Sequence, residues 1–433
     1  MKFPGKRKSK HYFRFTDKGR IPFGSDAALP KDEIYIVGID QLLVDIEAQV
    51  DDAFLAQLAI PKGESALLDD ARVERLYGRL KAAGRVTGEF AGGAIGNTLH
   101  NYSVLADDRS YLLGTITSRI SVGDYAFNYV RNTSSRVILS HLHPCPGPIG
   151  RAVCLITPDG ERTFAVSRGI MDDYPAAALP EDLIARSQAL VLTAYLLRNP
   201  AAPIYAAALR AIAVANAHKV PVALALGTVS LVREKKEFLR ELISRSVNII
   251  AGNFQEVGAL TGVEDPLLAG QAALGLTDLV LMTHDRQGLY LCAHVDEAHA
   301  RATADQVYSK SIAEYNRYEY SRAMLRRDCA RPRQVYSHIN PYLGGPADIQ
   351  NTNGAGDSAL SALLHDVAAN AHHRRAVPGS PKHKAEYLTY SSIHQICKYA
   401  NRVSYEVLRR NSPRLTHGLP EREDSLEESY WSE

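Results

Sequence analysis

Short apolar runs set apart by helical stretches place the tightest limit on the fold. Ile34-Tyr35-Ile36-Val37 reads as a first buried strand, and Tyr111-Leu112-Leu113 as another. Ala189 to Thr193, Val220 to Leu224, Val247 to Ile250 and Leu279 to Met282 repeat the pattern. Helical spacing of apolar residues fills about 66–82, 96–106, 203–218, 232–245 and 254–261. Strands hidden on both faces and joined by helices predict an α/β fold, a doubly wound and mainly parallel central sheet flanked by helices. Polar/apolar alternation at 151–157 and 162–167, joined by Pro158-Asp159-Gly160, reads instead as a hairpin. A hairpin inserted in such a series is a natural small β lid, expected from about 44–52 and 146–170. Residues 294–345 break the rhythm, being rich in Tyr, Arg and Ala, and read as an insertion with a helix at about 311–327.

With 433 residues the chain can bury a large core. The expected organisation is a basic N-terminal arm (1–30), one domain (31–417) and an acidic C-terminal tail (418–433). A formal charge of +2 predicts no nucleic-acid or membrane partner, and no apolar run nears the ~20 residues of a membrane span. The basic N-terminus has no apolar stretch behind it and does not read as a secretory signal. Five scattered cysteines fit a reducing cytoplasm, so a cytoplasmic enzyme is expected. His141, His143 and Cys145 alternate as metal ligands could, but prolines flank Cys145 and no fourth ligand is evident. A polar loop or lid segment is the better reading.

The chemistry concentrates at 351–357, Asn-Thr-Asn-Gly-Ala-Gly-Asp. Ala347 to Gln350 before it reads as a short strand, while Leu360, Leu363, Leu364 and Val367 after it recur at helical spacing. A small-residue loop opening a helix lets backbone N–H groups approach an anion, aided by roughly +0.5 charge at the helix start. An acid there opposes the anion unless it serves a second reactant, which suggests a held phosphoryl group with Asp357 facing the attacking hydroxyl. A plain cap on a tight turn is the alternative.

Gly92-Gly93-Ala94-Ile95-Gly96-Asn97 is a second glycine-rich helix start, without dinucleotide spacing, and no P-loop occurs. Asp40 and Asp45 follow the first strand, where ligands lie in α/β sheets, and carboxylates there suit a ribose diol. Asn253-Phe254-Gln255-Glu256 could hold Mg²⁺ through water or form a capping box. Thr283-His284-Asp285-Arg286-Gln287-Gly288 could wrap a nucleotide or be a hairpin turn.

These motifs, in this order, resemble the ribokinase (PfkB) family of sugar and nucleoside kinases, over about 34–415. Val37 to Gln41, His100 to Arg109 and Leu419 to Ser425 are further similar to bacterial members acting on inosine and guanosine. The resemblance implies ATP-dependent, Mg²⁺-assisted phosphorylation of the 5′-hydroxyl of purine nucleosides, inosine and guanosine giving IMP and GMP. It implies Asp357 as base, Gly354, Ala355 and Gly356 as anion hole, and Asp40, Gln41, Asp45, Gly92, Gly93, Asn97 and Arg198 as nucleoside contacts. Thr283 to Gly288, Asn353, Gly356 and Asn401 match ATP positions, and Asn253 and Glu256 the Mg²⁺-associated motif. Small molecules are the implied partners; a homodimer and a monovalent cation are allowed. Asn351 stands where many members carry Asp, which argues against monovalent-cation activation, and Gln41 where many carry Asn. A cationic Arg198 would favour 6-oxo purines over adenosine. A free carboxylate lies about 12 pKa units, ~16 kcal/mol, from a hydroxyl, so Asp357 should take its proton late in the reaction.

Overall fold

A computed structural model describes residues 33–304 and 306–419. The basic arm and nearly all of the acidic tail lie outside the described residues. The strands are β1 (Tyr35–Ile39), β2 (Leu43–Gln49), β3 (Ser65–Leu67), β4 (Val86–Ala91), β5 (Arg109–Thr117), β6 (Val137–Ile138) and β7 (Leu142–Cys145). They continue with β8 (Gly150–Ile156), β9 (Arg162–Ser167), β10 (Leu190–Thr193), β11 (Val222–Ala225), β12 (Ile249–Asn253), β13 (Leu279–Thr283), β14 (Leu289–Asp296) and β15 (Pro332–Ile339).

The main sheet runs β15-β14-β13-β12-β11-β10-β1-β5-β6, with β7 also on β5. All pairings from β13 to β6 are parallel; β14 and β15 close one edge antiparallel. Period-2 geometry splits each strand between two cores. Ile36 and Leu112 face the helices Ala94–Ala106, Ala355–Ala376 and Ile393–Leu408. Tyr35, Val37, Ile39 and Leu113 face Pro203–Ala217, Lys236–Ser246 and their neighbours. Both faces are covered, which is why the strands read as continuous apolar runs rather than alternating ones.

A second sheet, β3-β9-β8-β2-β4, stands where a lid is expected and takes that name. Its β8–β9 hairpin is the one expected, but β3 and β4 join it as well. The stretch at 66–82 therefore divides: β3 ends at Leu67, and the helix Asp70–Ala82 starts after Asp69, whose side chain caps Arg72 N–H. Arg151 ties lid to helix by bonding Glu74 and Asp70 while lying over the Tyr125 ring.

Three expectations fail locally. No α-helix forms at 311–327: the N–H groups of Tyr315, Arg317, Glu319 and Ser321 bond carbonyls three residues back in successive turns, Asn316 at φ +48° breaks the helical run, and a 3₁₀ turn begins only at Arg326. Within 294–345 the sheet takes 294–296 and 332–339, leaving 297–331 and 340–345 as the irregular parts. Residues 347–350 make no strand; they are exposed, and Gln350 N–H bonds Leu408 O at a helix end rather than a sheet. The rings of His141 and His143 pack against Tyr111 and Tyr174.

Candidate active site

The candidate acids gather where the carboxyl end of β1 meets the second sheet. Asp40 follows β1 and is 1% exposed, its oxygens accepting from Gly96 N–H at 2.7 Å and Gln41 N–H at 2.9 Å. Asp45 lies one step along, on lid strand β2 rather than on the main sheet. Glycine is required opposite both. A Cβ on Gly93, at φ +90°, would lie 2.4 Å from Asp40 Oδ2, and one on Gly92 2.5 Å from Asp45 Oδ2. The glycine pair thus makes room for two carboxylates at the start of the helix Ala94–Ala106.

The helix Ala355–Ala376 points its N-terminus into the same space. Its cap is Gly354, at φ +80° and with no side-chain cap, so the first-turn N–H groups remain for an anion. Asp357 sits in that first turn, where Asn97 Nδ2 donates to its Oδ2 at 3.1 Å. Asp40, Asp45 and Asp357 are each pushed up to about 7, first by burial; the charge of Asp357 adds to the rise at the other two. Three such acids, two of which feel the charge of the third, suit a cationic or hydroxylic group.

The lid touches the anion loop directly. Asn351 Nδ2 donates to Glu47 Oε1 on β2 at 3.1 Å and to Asn411 O at 2.8 Å, while its Oδ1 accepts from Asn353 N–H at 2.8 Å. Arg162, at the start of β9, reaches Thr352 Oγ1 at 3.2 Å and Asn353 Oδ1 at 3.3 Å. Arg162 and Glu47 escaped the sequence reading, although the hairpin carrying Arg162 did not. A buried arginine escaped it too: Arg414, 3% exposed, bonds Asn97 Oδ1 at 3.0 Å.

At the other end of the loop, β12 and β13 set Asn253 beside Thr283. A cavity of about 90 Å³ opens there, lined by Asn253, Phe254, Gln255, Thr283, His284 and Asp285. Gly288 closes the turn after Asp285, Arg286 and Gln287, and His284 N–H bonds its carbonyl at 2.8 Å. Asn253 and Glu256 make a complete capping box, with bonds of 2.9 to 3.0 Å. Glu256 is nonetheless raised to about 7, by burial and by the charge of Asp357. Its carboxylate keeps lone pairs beyond the two box bonds, so metal-bound water could still be held. Asn401 Nδ2 donates to Asn340 O at 2.5 Å.

Gln41 donates its amide to Asp172, which leaves its oxygen as the free acceptor. Arg198 is not brought into the carboxylate cluster: it is exposed and stacks over the Tyr195 ring at 5.1 Å. A larger cavity of about 550 Å³, between Gln271 and Arg333, contains none of these residues.

Comparisons with known proteins bear on the family and the fold. Residues 70–310 match the pfkB family carbohydrate kinase profile. Guanosine-inosine kinase of Escherichia coli K12 is 52% identical over 432 residues, covering 100% of both chains, and that of E. coli O157:H7 matches equally. Among solved structures, a probable sugar kinase from Rhizobium etli superposes with TM-score 0.66 at 19% identity, over 89% of this chain and 96% of that one. Adenosine kinase from Sinorhizobium meliloti gives 0.64 at 21%, over the same 89% and 96%. The fold, the convergent acids and the full-length likeness lead to one statement: this chain belongs to the pfkB family of carbohydrate kinases.

Proposed function

We propose that the protein transfers the γ-phosphoryl group of ATP to the 5′-hydroxyl of purine nucleosides, converting inosine and guanosine to IMP and GMP in the cytoplasm. The observation that carries this is the meeting of Asp357 with Asp40 and Asp45 beside an uncapped helix start. Full-length likeness to the guanosine-inosine kinases supports the choice of nucleoside.

Asp40 and Asp45 accept the ribose hydroxyls, and the Gly92-Gly93 backbone lets the sugar approach. Gln41, fixed by Asp172, offers its oxygen to a sugar or base N–H or O–H group. Arg198, on its Tyr195 platform, donates to the 6-oxo group of the base. The N–H groups of Gly354, Ala355 and Gly356 receive the transferring phosphoryl, with Asn353 and Arg162 on its lid side. Thr283 to Gly288 and Asn401 border the adenosine of ATP. Mg²⁺, when bound, neutralises phosphate charge, and Glu256 with Asn253 would hold it through water. At about 7, Asp357 is closer to a hydroxyl than an ordinary carboxylate is, and it accepts the proton as the bond to phosphorus forms.

The test is a product assay with ATP and inosine, guanosine, adenosine or ribose, on wild type and on Asp357→Asn and Asp357→Ala. Both variants should bind inosine as before and lose kcat by ~10³-fold or more. Near-normal turnover in both would remove Asp357 from its role, and ribose or adenosine outrunning inosine would remove the substrate.

A further inference from the structure

Arg414 belongs to a segment, 411–415, that reaches the site from the far end of the chain. Asn101 holds it at both sides, donating to Pro413 O at 3.0 Å and accepting from Leu415 N–H at 2.8 Å. Asn411 O takes the Asn351 amide, and Pro413 packs on Gly354. The guanidinium lies over the Tyr129 ring at 4.9 Å. Its Nε donates to Asn97 Oδ1 at 3.0 Å, and Nη1 to Thr133 Oγ1 at 2.7 Å and Asn132 O at 3.3 Å. Nη2 donates to Gly92 O at 3.4 Å. Every one of these acceptors is neutral. A buried cation without a contacting carboxylate is costly, and a structural tie alone would be met more cheaply by a neutral amide.

Two details show where the charge is directed. A Cβ on Gly96 would lie 3.0 Å from Arg414 Nη2 and 3.4 Å from Asp40 Oδ2, so the two groups flank the same glycine. And a guanidinium only donates, so Asn97 must turn its oxygen to Arg414 and its NH₂ to Asp357. The amide cannot flip without facing two donors together.

We infer that Arg414 is the positioning residue of this site: through Asn97 it fixes one oxygen of Asp357, leaving the other for the reacting hydroxyl, and it is the counter-ion of the three-carboxylate cleft. This deepens the reading of Asp357 as base and rests on it. The titratable groups facing the guanidinium are Asp40 from the end of β1, Asp45 from β2, Asp357 from the loop helix, and His100 and Tyr129. Burial and Arg414 hold His100 down at about 3, and burial raises Tyr129, so between pH 5 and 9 the carboxylates are the groups that respond.

The experiment is the pH profile of kcat, at saturating inosine and MgATP, for Arg414→Gln and Arg414→Lys, with thermal melts as the folding check. Losing the charge in R414Q should lower kcat about 100-fold at pH 7 and move the acid limb up by more than ~1 pH unit, so that raising the pH restores much of the loss. R414K keeps the charge but not the fork; kcat should fall about 10-fold with the acid limb within ~0.5 unit of wild type. A loss in R414Q of equal size at every pH, or wild-type kcat in either variant, overturns the inference. Should R414Q fail to fold, R414K decides alone, its fall in kcat with an unmoved limb being the expected result. Asp357→Asn in parallel separates the two readings: turnover surviving there removes the base, whatever Arg414 does.

Discussion

Asn351 makes a bond that an aspartate could not. Its amide donates to Glu47 on the lid, so an acid at this position would set two carboxylates against each other. Asn351→Asp should therefore loosen the lid from the anion loop. We expect kcat/KM for ATP to fall roughly 10-fold, and the deficit relative to wild type at the same pH to shrink below pH 5.5, where one of the pair is protonated, as steady-state kinetics across pH would show. Glu47 is already raised by burial, which supports that sign. Arg198→Ala should cut the preference for inosine over adenosine about 10-fold with little change in kcat, measured as a ratio of kcat/KM values. An unchanged ratio would take Arg198 out of base selection. At this scale legibility followed sequence distance. Asp357, Asp40 and the glycines could be read because each sits in a short run whose neighbours constrain it. Arg414 and Asn97 meet across 317 positions, and nothing local in Ser412-Pro413-Arg414 announces that meeting.

The loop-helix start is the element on which phosphate handling depends. Gly354 holds φ +80°, and a Cβ there would come 2.4 Å from Pro413 Cβ. Gly354→Ala should cost about 2 kcal/mol in a urea melt, from left-handed strain plus the displaced proline. Turnover should fall with it, because the N–H groups would no longer point at one spot. The lid supplies the matching arm: Arg162→Ala should raise KM for ATP several-fold, and kcat should drop as water enters. Central strands were legible as elements because burial on both faces leaves unbroken apolar runs. Strand β4, Val-Thr-Gly-Glu-Phe-Ala, was not, since its half-buried alternation carries a glycine and an acid. The segment 311–327 misled in the opposite way: its composition suits a helix, but its backbone closes into successive three-residue turns with Asn316 at φ +48°.

Across the whole molecule, the site is maintained at the expense of stability. Asp357 rises from an ordinary carboxylate value to about 7 on folding, so the folded chain binds its proton more tightly than the unfolded chain does. The stability tied to that proton is full below pH ~4 and is lost as pH rises through about 7. Asp357→Asn removes the loss. Its melting temperature should exceed that of wild type by a few degrees at pH 8.5, on the order of 2 kcal/mol after solvent screening, and by little at pH 5. Equal melting at both values would mean that water reaches the carboxyl freely. Segment 411–415, finally, bridges pieces that a ribosome makes first and last: it clasps Asn101 and Asn97 from the early chain and Asn351 from the late one. A nascent chain can therefore complete its sheet and most of its lid while still unable to act on a nucleoside. Competence would arrive in one step, when residues 411–415 dock, and fragments that stop before them would be inert rather than half-active.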